Sequence, residues 1–101
     1  LIRLKEQFRI QQDMISIHIN PRYIDRGLDF VKDAVGTAQE GTSYNVSVKI
    51  GEGQAETKAA TLSGENNRIM TLDLSEWIRN NQNSKGQEFT VTYYAKLMLM
   101  P

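Results

Sequence analysis

The chain has 101 residues, 40% of them hydrophobic and 24% charged, and its twelve basic and twelve acidic side chains cancel. That is enough for one domain around one core, so residues 1–101 are read as a single β-rich domain. Zero net charge excludes a long-range field that would gather nucleic acid, anionic membrane or acidic substrate, and the absence of cysteine excludes disulfides, thiolate nucleophiles and thiolate metal sites while leaving the redox compartment open.

The first segment alternates. Ile2, Leu4, Phe8 and Ile10 fall on one side, interrupted by Glu6, and Arg3, Lys5, Gln7, Arg9 and Gln11 fall on the other, the period of a strand with one buried face. Ile15, Ile17 and Ile19 resume the alternation in the opposite phase, so a turn or bulge between Gln12 and Met14 must absorb one residue. From Asn20 the period lengthens. Asn20 can cap a helix, Pro21 suits its first position, and Ile24, Leu28, Val31, Val35 and Ala38 recur at helical spacing. This predicts an amphipathic helix over 21–38. Asp25, Asp29 and Asp33 would lie on its opposite face among Arg22, Arg26 and Lys32, the pattern of a solvated helix face rather than a cation site.

Beyond Gly41 the pattern is strands joined by short turns. Tyr44, Val46, Val48 and Ile50 alternate with Asn45, Ser47 and Lys49; "GEGQ" turns the chain, residues 55–63 run back, "SGENN" turns it again, and 68–74 form a third strand. Asp73 and Glu76 have the spacing of a capping box, so a short helical turn should follow, with Leu74, Trp77 and Ile78 on one side of it. Trp77 is read there as a plug for the end of a core. The polar run 79–87 is expected to be an exposed loop, and 88–100 a final strand with Phe89, Val91, Tyr93, Ala95, Leu97 and Leu99 on one face. The strand running into Asp73, Ser75, Trp77 and Ile78, then a polar loop and a long last strand, resembles a short segment of galactose-binding-like jelly-roll modules; the helical pattern at 21–38 departs from them.

The expected fold is α+β: an antiparallel sheet, a meander over 44–74 completed by the N- and C-terminal strands, with the 21–38 helix packed on one face. A jelly-roll-like sandwich is the alternative. Little here points to chemistry. His18 is the only histidine and has no cysteine or second histidine to complete a metal site; "GEGQ" lacks the rest of a phosphate loop; "NVS" at 45–47 fits a glycosylation acceptor with no secretion signal beside it; no nucleophile elbow occurs. The sequence therefore reads as a non-enzymatic domain without cofactor. No apolar run approaches the roughly 18 residues that span a bilayer, so membrane insertion is not expected.

The expected role is a structural or interaction subunit of a larger protein assembly, such as a virion, tail or surface lattice, associating with copies of itself or with other proteins through edge strands. The chain begins at Leu1 without methionine and stops at Pro101 after an apolar "KLMLM", as a processed product or a piece with closely cut terminal strands would. Leu97, Met98, Leu99 and Met100 are the candidate interface. The alternative is a module that binds carbohydrate or single-stranded nucleic acid on a platform of Trp77, Arg79, Lys85 and Tyr94.

Overall fold

A computed structural model describes residues 2–12, 16–19, 28–30, 43–64 and 67–97. Seven strands lie in one sheet: β1 (Ile2–Arg9), β2 (Ser16–Ile19), β3 (Leu28–Phe30), β4 (Ser43–Ile50), β5 (Glu56–Ser63), β6 (Ile69–Asp73) and β7 (Glu88–Leu97). A short helix, α1 (Ser75–Asn80), and a 3-10 turn at Gln82–Ser84 stand between β6 and β7. The strand order is β1-β7-β4-β5-β6-β2, with β3 paired to β7, and every pairing is antiparallel. The mainly antiparallel α+β class holds, and no second sheet stands among the described residues to make a sandwich.

The meander expected over 44–74 is β4, β5 and β6. Gly51 (φ 51°) and Gly64 (φ 78°) supply the positive φ at its two turns. At Gly64 a Cβ would also stand 2.9 Å from the Ile69 side chain, so the second turn needs glycine twice over.

Alternation sorts the sheet into two faces. Tyr44, Val46 and Val48 of β4, Ala60 and Leu62 of β5, Met70 and Leu72 of β6, Ile17 and Ile19 of β2, and Phe89, Val91 and Tyr93 of β7 are buried in one cluster, and Ala95 of β7 is buried as well. Leu4 and Phe8 of β1 pack against it half-buried. The phase change after β1 has a topological meaning, because β1 and β2 are consecutive in the chain yet lie at opposite ends of the strand path. A flat sheet would hold them roughly 24 Å apart, a gap the link from Arg9 to Ser16 could cross only if fully extended. The link turns at Gln12, and Ile10 within it is buried in the core. The sheet must therefore curl into a half-barrel, with Ile10, Gln11 and Gln12 at one end.

The same end is plugged by α1. Leu74, Trp77 and Ile78 are buried there, and Gln82 donates from Nε2 to the carbonyls of Ile78 (3.1 Å) and Gln11 (3.5 Å), tying the turn to the link. The expected capping box takes another form. The Asp73 carboxylate accepts from the backbone N–H of Ser75 at 3.0 Å, and α1 starts with no side-chain cap on its own first turn. Much of the polar run expected as a loop is the end of α1 and the 3-10 turn.

One expectation is overturned where it can be tested. Leu28–Phe30, inside the helix predicted over 21–38, is a strand opposite Leu97, Lys96 and Ala95. An open stretch of β7 offers this segment a ladder of main-chain hydrogen bonds, and that tertiary pairing overrides the local helical period. Asp29 thus sits in a strand, opposite Lys96 in register. The rest of 21–38, with Asp25 and Asp33, lies outside the described residues.

Candidate functional site

The hydrogen-bond phase of β7 shows which side of each strand is already used. Ile10 donates to Gln87 O (3.0 Å) and accepts from Gly86 N (2.9 Å), so the even-numbered residues of β1 bond inward toward β7. On the other flank, Gly51 N donates to Glu88 O at 3.0 Å, so the even-numbered residues of β7 bond toward β4. Tyr94 fits the same phase. Its N–H donates to Tyr44 Oη (3.1 Å), and that hydroxyl donates to Tyr94 O (2.7 Å). The β4–β7 register runs no further than Ser47 opposite Thr92, so the Tyr44 side chain fills the place of a strand neighbour before β3 takes over at Ala95.

On β1 the consequence is direct. Residues opposed as wide pairs turn their main-chain groups away from each other, so Arg3, Lys5, Gln7 and Arg9 point N–H and C=O toward the outer side of β1. Among the described residues β1 has one strand neighbour, β7, and this outer side is an open edge. The same four residues place their side chains on the exposed face of the sheet. Arg9 donates to Gly86 O at 3.1 Å; Arg3 and Lys5, opposite Tyr94 and Thr92, make no hydrogen bond or ion pair with another described residue. Ile2, 39% exposed, marks the apolar side of the same edge.

The exposed face forms a shallow groove of about 610 Å³, whose lining sets Arg3, Lys5, Lys49 and Tyr94 beside the carboxylates Glu52 and Glu88. The platform expected from the sequence is not assembled there. Trp77 is buried within the core, its indole N–H donating to Glu56 Oε2 (2.9 Å) and its ring meeting Phe89 edge-on at 5.3 Å, so it has no free face for stacking. Tyr94 lies on the opposite face of the sheet, 37% exposed. Arg79 is exposed on α1, and Lys85 beyond it donates to Gln12 Oε1 at 3.4 Å, both at the plugged end.

Of the C-terminal candidates the structure describes Leu97 alone. β7 is an inner strand, paired with β1 over Glu88–Ala95 and, on its other side, with β4 over Phe89–Thr92 and with β3 from Ala95. Leu97 is opposite Leu28 in that ladder, and Met98, Leu99 and Met100 lie outside the described residues. Among the described residues the strand path ends at β1 and at the four-residue β2, and β1 is the longer edge; the alternation of residues 2–9 marked it in the sequence as a strand, not as an edge.

Among the described residues no three His, Asp or Glu side chains gather as metal ligands, and no helix is long and apolar enough to cross a membrane. His18 is exposed on β2. The chain was compared with protein-family models, with curated proteins and with solved structures, and none of them matches it.

Proposed function

We propose that this domain is a non-enzymatic structural or interaction module, a subunit or part of a larger protein assembly such as a virion, tail or surface lattice, joined through its edge strands. The observation that carries this reading is the outer side of β1: an eight-residue strand with main-chain donors and acceptors at Arg3, Lys5, Gln7 and Arg9 turned outward. Strand addition to such an edge combines main-chain hydrogen bonds with side-chain contacts on alternate residues.

Gln7→Pro tests it. The lost N–H is one that faces outward, so the fold keeps its ladder while the edge loses a donor and gains a ring that obstructs an incoming strand. Titration with strand-forming peptides should show uptake by the wild type and its loss in Gln7→Pro, with unchanged far-UV circular dichroism. A wild type that stays monomeric at high micromolar concentration and takes up no strand peptide of any charge would refute the reading.

A second reading, a carbohydrate- or single-stranded-nucleic-acid-binding module, is favoured by the outer groove, where exposed Tyr94 stands beside Arg3 on a face that also carries Lys5 and Lys49. A glycan panel and a salt titration against single-stranded DNA test it.

A further inference from the structure

We infer that the open edge of β1 is selective, and that its partner is an extended segment of another protein in which acidic residues alternate with apolar ones, added antiparallel along β1. This rests on the edge-strand reading and goes further by naming the partner's chemistry.

Self-pairing is the first alternative to consider. Two copies of β1 can extend one sheet around a two-fold axis only if opposed residues point to the same face, so Arg3, Lys5, Gln7 and Arg9 of one copy must meet the same set of the other. Sliding the register relieves the consequence only where the pairing shrinks to the Gln7–Arg9 end of the strand. Successive settings oppose Arg3 with Lys5, Lys5 with Lys5, Arg3 with Arg9, or Lys5 with Arg9. The setting that opposes Arg3 with Arg9 also brings Glu6 against Glu6. Like charges directly opposite each other destabilise a strand pair, so β1 is built against its own copy. Charged side chains on an edge are a common guard against indiscriminate pairing, and the same repulsion becomes selection once a partner carries the opposite sign.

The phase of the edge fixes where the acidic residues belong. Arg3 and Lys5 turn their main-chain groups outward, so an incoming residue opposite either one forms a hydrogen-bonded pair with it and shares its face. The neighbours of Arg3 and Lys5 on β7 are Tyr94 and Thr92, which leave both cations without a counter-charge from that strand. The intervening residues of the partner would lie opposite Ile2, Leu4, Glu6 and Phe8; Ile2, Leu4 and Phe8 leave exposed or half-buried apolar surface, and Glu6, beside the Tyr93 hydroxyl, is the one polar position among them. Acidic on one face and apolar on the other is therefore the complementary pattern.

The test is a fluorescence-anisotropy titration of the whole chain with labelled peptides of about eight residues, the length of β1. One alternates Glu and Val; the second has Lys in place of Glu; the third is the Glu peptide with alternate amides N-methylated. The Glu peptide should bind best, about tenfold more tightly than to Arg3→Glu/Lys5→Glu, and N-methylation should abolish binding. The Lys peptide should bind the double variant and not the wild type. Both substitutions are on exposed positions, and circular dichroism checks that the variant folds. Equal binding of the Glu and Lys peptides, or a wild-type dimer cross-linked β1 to β1, would overturn the selectivity and leave the edge reading standing. Retention of the N-methylated peptide, or binding of single-stranded DNA or an acidic glycan with no peptide uptake, would mean that Arg3 and Lys5 serve a polyanion and would overturn the inference. No uptake of either peptide, with no self-association, would remove inference and edge reading together.

Discussion

Tyr44 is the residue on which the local order of the sheet turns. β4 leaves β7 beyond Ser47, and the N–H and C=O of Tyr94 would face a gap had the Tyr44 hydroxyl not bonded both. A donor or acceptor stripped of its partner at a partly buried site costs on the order of 1–3 kcal/mol, whereas the ring of Tyr44 is retained in a phenylalanine. Tyr44→Phe should therefore lower stability by about 1–2 kcal/mol in urea titration and speed exchange of the Tyr94 amide, leaving the rest of the ladder as it was. An unchanged midpoint would mean that water or another group serves Tyr94 equally well. Trp77 makes the contrasting case. Its polar handle is bonded to Glu56 and its ring meets Phe89, so its chemistry is spent inside the fold.

At the scale of elements, α1 depends on how it begins. The Asp73 carboxyl is held below its ordinary range first by the N–H of Ser75 and then by the Ser75 side chain; desolvation opposes them, and the Arg79 charge adds the least. A carboxyl depressed in the folded state supports the fold above its unfolded pKa, and this support is lost as pH falls through the folded value. Acidification from neutrality to below the ordinary aspartate range, near 3.8, should thus loosen the start of α1, read from amide shifts of Ser75 and Glu76. Asp73→Asn should flatten that response; a response of full size in the variant would assign it to another carboxyl.

The elements also show how much was legible in the sequence. Strands with one buried face announce themselves by alternation, so β1, β2, β4, β5, β6 and β7 were readable, as was the patch of Leu74, Trp77 and Ile78. β3 was not. Its residues fit a helical period with their neighbours, and what makes them a strand is the vacancy beside Ala95 and Lys96, a long-range partner that no local window contains. The candidate site was half legible for the same reason. Arg3, Lys5, Gln7 and Arg9 could be placed on one face from spacing, but that β1 rather than the terminal β7 is the edge depends on strand order. Sequence adjacency does not reveal that order, since β1 and β2 are neighbours in the chain and sit at opposite ends of the sheet.

At the largest scale, these features combine into a curled sheet that buries one face, plugs one end with α1 and, among the described residues, leaves β1 with an unused row of main-chain groups. That row can be read amide by amide. Native-state hydrogen exchange along β1 of the isolated domain, followed by NMR, should alternate: Leu4, Glu6, Phe8 and Ile10 protected by β7, and Arg3, Lys5, Gln7 and Arg9 exchanging fast. On association through the edge, only the fast set should slow. Uniform protection of all eight amides in a monomer would mean that the outer side of β1 is already covered within the chain, and would contradict the open edge on which the proposed function stands.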